Sequence, residues 1–325
     1  MNSLHPGAQL DHYRLENLVA RSGMASIYRA TDLESGRSVA IKIPHPEVEA
    51  DPLFYDRFKR EEEIGKKLDH PGVMKVYGDD DRSRVYMVME WVDGRLLRQI
   101  LTEQKKLPID RAIRITLGIC DALEYIHSKG VVHRDLKPEN IMVDKDDHVK
   151  LIDFGIAGSQ GMRRLTFAKL THAMGTPDYI SPEQVKSKRG DARSDLYALG
   201  VMLYEMLTGD VPFHGPSAFA IMNDRLINNP VPPRELNPEI SPQLQEIIYR
   251  AIERNPTNRY ASAREFARDL RDPSQVGVAE RPELRDWKRR RSPWGRRVLY
   301  YVILALIPVV ILGLMFWIAM RTGGR

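Results

Sequence analysis

One cysteine, Cys120, is too few for an intrachain disulfide or a cysteine-based metal cluster. It stands in the apolar helical stretch Ile113–Ile126, where a free thiol behaves as a small hydrophobe and packs. The first ten residues have no apolar run and no cleavage site, so no signal peptide is expected there. The chain has no internal repeat and no long low-complexity tract. Most of it also lacks a basic surplus. Residues 281–325 carry ten Lys/Arg against Glu283 and Asp286, a balance of +8, whereas the whole chain sums to only +5. The first 280 residues are therefore slightly acidic, and nothing in their charge points to a nucleic-acid partner.

The chain's 325 residues, 42% of them hydrophobic, suffice for one domain of about 260 residues and an appendage. From Tyr13 to Ile43, β-branched and apolar runs (Leu15–Val19, Ser26–Arg29, Val39–Ile43) are broken by Arg21-Ser22-Gly23 and Ser35-Gly36, which reads as three strands. Phe54–Leu68 reads as a charged amphipathic helix and Val85–Trp91 as a strand ended by Asp93-Gly94. From about Leu96 the pattern is helical, apart from short strands around Ile141–Val143 and Val149–Ile152. After Asp272, Pro273, Gly277, Pro282 and Pro293 interrupt any regular element and the basic cluster Lys288–Arg291 follows, as in a linker.

Chemistry concentrates in a few segments. Residues 133–140 read His-Arg-Asp-Leu-Lys-Pro-Glu-Asn, and Asp153-Phe154-Gly155 begins eighteen positions after Asp135. Upstream stands Val39-Ala40-Ile41-Lys42; downstream stand Gly175-Thr176-Pro177, Ser181-Pro182-Glu183 and Asn255-Pro256-Thr257-Asn258-Arg259-Tyr260. Taken singly, a Lys or Glu among these is an ordinary solvated charge. In this order and spacing, over roughly residues 10–272, they resemble the bacterial eukaryotic-like (Hanks-type) Ser/Thr protein kinases. The resemblance implies an α+β bilobal protein-kinase fold within residues 1–272: a small β-rich N-lobe of about 10–92 and a large helical C-lobe of about 93–272, with ATP in the cleft.

It also implies roles. Asp135 accepts or steers the proton of the attacking hydroxyl, and Lys137 neutralises charge on the transferred phosphoryl group. Lys42 grips the α/β-phosphates and pairs with Glu61, preferred here over Glu62 and Glu63. Asn140 and Asp153 hold Mg²⁺, with Mn²⁺ as an alternative. The nucleotide lies against Ala20, Ser22, Gly23, Ala25, Ile27 and Ala40, beside Met89 as gatekeeper, with the backbone of Glu90 and Val92 on the base edge. The plain alternative for Val85–Val92, a buried strand, fits the same residues. Arg134 pairs with a phosphothreonine at Thr166 or Thr171, with Ser159 a weaker acceptor, and Thr176 favours Ser/Thr over Tyr substrates. His127 and His133 read as structural, as do Asp195, Gly200 and a buried Glu183–Arg259 salt bridge. Implied partners are protein substrates, a second kinase copy and an opposing metal-dependent phosphatase.

One segment departs from the pattern. The phosphate-covering loop of the family is Gly-x-Gly-x-x-Gly, and this chain has Ala20, Ser22 and Ala25 at those glycines. Each added Cβ hinders approach of backbone N–H groups to phosphate. Two readings stay open: an active kinase with weakened ATP binding, and a membrane-tethered pseudokinase or scaffold. A small-molecule kinase of similar fold is a third, opposed by Thr176 and the Ser-Pro-Glu segment.

Val298–Met320 carries no formal charge, and fourteen of its residues are Leu, Ile, Val or Phe. As a helix at ~1.5 Å per residue it spans the ~30 Å apolar core of a bilayer. Those fourteen favour insertion by roughly 4–8 kcal/mol before Pro308 and Gly313 subtract some. A buried core helix is the rival reading. Six basic residues (Lys288–Arg291, Arg296, Arg297) precede the span and two (Arg321, Arg325) follow, which places residues 1–297 in the cytoplasm. The expected order is a basic juxtamembrane linker at 273–297, a transmembrane helix at 298–320 in contact with membrane lipids, and a short external tail at 321–325. This makes a single-pass protein of the cytoplasmic (inner) membrane. A reporter active only outside the cytoplasm, fused after Arg325, should be active, and deletion of 296–325 should release soluble protein. A silent reporter on a stable fusion would overturn the single span.

Overall fold

The computed structural model describes residues 5–49, 51–78, 82–153, 177–186 and 188–281. Thr166, Thr171, Thr176 and Val298–Met320 lie outside them, and among the described residues no helix is long and apolar enough to cross a membrane. The N-lobe is built on strands β1 (Gln9–Leu10), β2 (Tyr13–Arg21), β3 (Ala25–Asp32), β4 (Ser38–Pro44), β5 (Val76–Tyr77) and β6 (Met87–Glu90). They form one sheet in the order β1-β2-β3-β4-β6-β5, every neighbour antiparallel. Two irregularities in β2, after Leu15 and after Leu18, shift its register against β3, and Leu18 and Val19 end up exposed.

β4 sits inside this sheet and is buried on both faces. Side chains alternate along a strand, so Val39, Ile41 and Ile43 join one apolar cluster with Leu15 and Tyr86. Ala40 enters a second cluster with Phe58, Met87 and Met89. Lys42, two residues on, shares the face of Ala40 and therefore points where Phe58 lies. Phe58 belongs to a helix at Pro52–Gly65 that follows a short turn of helix at Pro46–Glu49; these are α2 and α1. The sequence pattern places the longer helix at 54–68; the fold starts it at Pro52, an N1 proline that needs no N–H partner. It ends at Gly65, where a Cβ would lie 2.3 Å from Val76 Cγ2.

The C-lobe packs around α4 (Ile109–Ser128) and α6 (Ala192–Thr208), with α3 (Leu97–Gln104), α5 (Pro182–Val185), α7 (Ala218–Ile227), α8 (Pro233–Leu236), α9 (Pro242–Ala251) and α10 (Ala263–Arg271) around them. Every residue of α6 from Ser194 to Leu207 is buried. Gly200 lets α9 approach, since a Cβ there would lie 2.6 Å from that of Ala251. Cys120 is buried in α4 and burial pushes its thiol far above the ordinary range, as suits a packing residue. A three-stranded sheet of β7 (Arg95–Leu96), β8 (Ile141–Val143) and β9 (Val149–Leu151) carries the segments on either side of it toward the N-lobe.

Arg259 ties the lobe together through all five of its N–H donors. Nη1 and Nη2 reach the two carboxylate oxygens of Glu183 at 2.8 and 2.7 Å. The others reach the carbonyls of Glu253, Arg193 and Arg254 at 2.6, 3.1 and 3.2 Å. Ser194 Oγ donates to Glu183 as well, at 2.6 Å. Nearby, Arg225 on α7 donates to the carbonyls of Pro177 and Asp178 at 2.6 and 2.5 Å. Burial opposes the Glu183 charge, but Arg259 and Ser194 overcome it and hold the carboxyl down at about 2. A depressed carboxyl stabilises the fold in full above its unfolded value of 4.5, and that contribution is lost as pH falls toward about 2. Arg259→Ala should cost about 3–5 kcal/mol in denaturant unfolding, because it strands a buried charge. Glu183→Gln should flatten the acid limb of stability between those two pH values; an unchanged limb would show that the pair does not carry it.

Candidate active site

Lys42 Nζ lies 2.8 Å from Glu61 Oε1 and 3.0 Å from Asp153 Oδ1. Glu61 is three residues beyond Phe58, on the same face of α2, which brings it under β4. Its neighbour Glu62 turns away and bonds Arg82 and Lys66 at 2.5 and 3.2 Å. Burial works against the Lys42 ammonium, but Glu61 and Asp153 overcome it and raise its pKa. One cation cannot balance two carboxylates. Asp153, facing Lys42, is held below the usual carboxylate range. Glu61 takes the misfit: burial, with repulsion from Asp153, pushes it up to about 8 despite Lys42.

The segment 133–140 is fastened from below. Asp195 of α6, 1% exposed, accepts from the backbone N–H of His133 at 2.9 Å and of Arg134 at 2.8 Å. Its Oδ2 also lies 2.8 Å from His127 Nε2. Arg134 is thereby held at φ 64°, a left-handed conformation that a side chain of this size rarely adopts. Asp135 then emerges with its carboxylate half exposed. Lys137 Nζ donates to Asp135 Oδ2 at 2.7 Å. Asn140 Nδ2 donates to the Asp135 carbonyl at 2.7 Å and to its carboxylate at 3.3 Å.

That tether occupies the nitrogen end of the Asn140 amide and leaves its oxygen end as an acceptor. Ile152 N–H donates to the Asn140 carbonyl at 2.9 Å, joining the two segments just before Asp153. Asp153 itself stands at φ 65°. An amide oxygen and a charged carboxylate are hard oxygen donors of the kind Mg²⁺ takes, so the residues fit that ion.

Above them, Ile27, Ala40, Met89, Val92 and Ile152 belong to one apolar cluster, a surface suited to a flat heteroaromatic base. Ile27 pairs with Lys42 across β3 and β4, and Ala40 with Met89 across β4 and β6. Glu90 is pinned by Lys150 at 2.7 Å, and the Arg29 guanidinium lies over the Trp91 ring at 4.9 Å. Ala20, Ser22, Gly23 and Ala25 form the hairpin end between β2 and β3.

Sequence reading gave no warning of Lys150 or Arg29. It also passed over Arg189, which lies near enough to Arg134 that, together with burial, it depresses the Arg134 guanidinium pKa. The basic residues Lys186, Lys188 and Arg189 just before α6 were the available signal. Arg134 Nε has no hydrogen-bond partner among the described residues.

A family model described as protein kinase domain matches residues 13–269. A "probable serine/threonine-protein kinase" of Streptomyces coelicolor is 41% identical over 263 residues, covering 79% of this chain and 39% of its own length. The serine/threonine-protein kinase PknB of Mycolicibacterium smegmatis is 38% identical over 265 residues, covering 80% of this chain and 42% of its own. The chain thus spans about two-fifths of the length of these curated relatives. Among solved structures, the Mycobacterium tuberculosis PknI kinase domain superposes with a TM-score of 0.65 at 25% identity, over 83% of this chain and 99% of that one.

Proposed function

From its membership of the protein kinase domain family, shown by the match over residues 13–269 and the identities above, we propose that this chain is a membrane-anchored Ser/Thr protein kinase. It transfers the γ-phosphoryl group of ATP to hydroxyls of itself and of other proteins. The observation that carries the reading is Lys42 held between Glu61 and Asp153 at 2.8 and 3.0 Å, above the Asp135, Lys137 and Asn140 cluster.

In this reading Lys42 leaves part of its salt bridge with Asp153 to hold the α/β-phosphates, and Glu61 keeps its ammonium in place. Asp135 orients the incoming Ser/Thr hydroxyl and takes its proton as the new O–P bond forms and the bond from the γ-phosphorus to the β,γ-bridging oxygen breaks, ADP leaving with that electron pair. Lys137 stays beside Asp135 and meets charge on the transferred group. Asn140 and Asp153 would hold Mg²⁺, which supplies neutralisation of the phosphate oxygens. Little covalent help is needed, because phosphoryl transfer depends on positioning and charge stabilisation. Ile27, Ala40 and Met89 bracket the base, with Glu90 and Val92 offering backbone groups to its edge.

The anchor is assigned to Val298–Met320, preceded by the linker 273–297, with the kinase domain on the cytoplasmic side. Protein substrates, membrane lipids, a second kinase copy and an opposing phosphatase are the partners that go with this reading. The pseudokinase alternative keeps one specific support, the replacement of the three loop glycines.

With Mg²⁺ and ATP the full chain should phosphorylate itself on Ser or Thr. Asp135→Asn should lower that rate by about 10²–10⁴-fold, and Lys42→Met should abolish it, while both variants still unfold cooperatively in thermal melts. No label above the Asp135→Asn background, with Mg²⁺ or Mn²⁺, would decide for the pseudokinase.

Arg134, crowded by Arg189 and with an Nε that has no partner among the described residues, suits a doubly charged acceptor such as phosphothreonine. Mass spectrometry of active protein should find phosphate on Thr166 or Thr171. Replacing both by Ala should lower activity toward an added substrate, and unchanged activity would rule out this mode of control.

A further inference from the structure

The hairpin between β2 and β3 turns at Ser22-Gly23-Met24-Ala25. Ser22 N–H donates to the Ala25 carbonyl at 2.9 Å, and the Ser22 hydroxyl donates to the same carbonyl at 3.1 Å. The hydroxyl oxygen in turn accepts from the backbone N–H of Met24 at 3.2 Å and of Ala25 at 3.1 Å. The other side of the turn is closed by His45. Its N–H donates to the Met24 carbonyl at 2.9 Å, and its Nε2 lies 3.1 Å from Ser26 Oγ. Next along β3, Ile27 faces the apolar cluster of the cleft.

A loop of this kind holds phosphate with consecutive backbone N–H groups. Here two of them are already bonded to an oxygen of their own chain. Glycine at position 22 would bring no such oxygen, so the replacement changes more than bulk. No other part of the described protein crowds the tip at Gly23, where a Cβ would meet nothing within 4 Å. What a phosphate meets is competition for donors.

We propose that Ser22 is a specificity-determining residue whose hydroxyl, in the nucleotide-free protein, caps the Met24 and Ala25 N–H groups that the terminal phosphates of a nucleoside triphosphate would otherwise take. The inference rests on the kinase reading. It makes Ser22 a brake on the phosphate part of the ligand and leaves the base unaffected. Binding exchanges one set of acceptors for another at the same two donors, so the brake is released as the phosphates arrive.

The test uses the full chain and its variants Ser22→Ala, Ser22→Gly and Ser22→Thr, with ATP, ADP and adenosine as calorimetric probes. Ser22→Ala should tighten ATP and ADP by about 3–10-fold, the scale of one or two net hydrogen bonds, and leave adenosine unchanged. Ser22→Gly should do at least as much, and Ser22→Thr, which keeps the hydroxyl, should stay at wild type. Without nucleotide, the Met24 and Ala25 amides should exchange with deuterium faster in Ser22→Ala than in wild type, and ATP should restore their protection. If adenosine tightens by the same factor, or ATP affinity is unchanged or weaker while adenosine still binds, the cap is overturned and the kinase reading stands. If neither ATP nor adenosine binds to any form, the kinase reading fails and this inference with it.

Discussion

The buried carboxylate of Asp195 is the interaction on which the site depends. It gathers the N–H groups of His133 and Arg134 and the ring of His127 onto one acidic group inside a helix that is itself buried from Ser194 to Leu207. Leaving those backbone donors unbonded in the interior would cost about 1–3 kcal/mol each. The same bonds offset the strain of Arg134 at φ 64°. Everything the segment presents to the cleft, from Asp135 to Asn140, takes its position from there. The rigid lobe below therefore sets the geometry of the exposed chemistry above it.

The cleft is arranged by charge as much as by shape. Lys42 is shared between a carboxylate from the N-lobe helix and one from the end of the C-lobe hairpin. With only protein groups present the sharing is uneven: Asp153 keeps its charge and Glu61 is pushed toward the neutral form. A cation beside Asp153 and phosphates beside Lys42 would change the terms for all three at once. The site is thus poised for a ligand that brings both signs of charge.

The apolar, β-branched run Val39–Ile43 made β4 readable as a strand, while the role of Lys42 came through resemblance and its direction only from the fold. Glu61 could be chosen over Glu62 only through resemblance, yet the fold supplies a physical reason. Adjacent helical residues point about 100° apart, and Arg82 and Lys66 wait on the far side for Glu62. That Asp195 supports the segment around Asp135 was readable only through resemblance, because His127, His133 and Arg134 lie more than sixty residues away and nothing local couples them. Ser22 was read by size alone. Its role as an acceptor depends on turn geometry that composition does not reveal. The threonines at 166 and 171 and the apolar run after Val298 lie outside the described residues, so the fold adds nothing to their reading.

The chain on either side of residues 154–176 is anchored independently at each end. Asp153 is held at one end by Lys42. At the other, Arg225 holds the Pro177 and Asp178 carbonyls and Arg259 holds Glu183. The entropy lost in fixing two distant points of a chain grows only slowly with the length between them, and here the surrounding fold has already met that cost. Asp153 and Pro177 therefore keep their places through contacts of their own, made entirely by the rest of the fold.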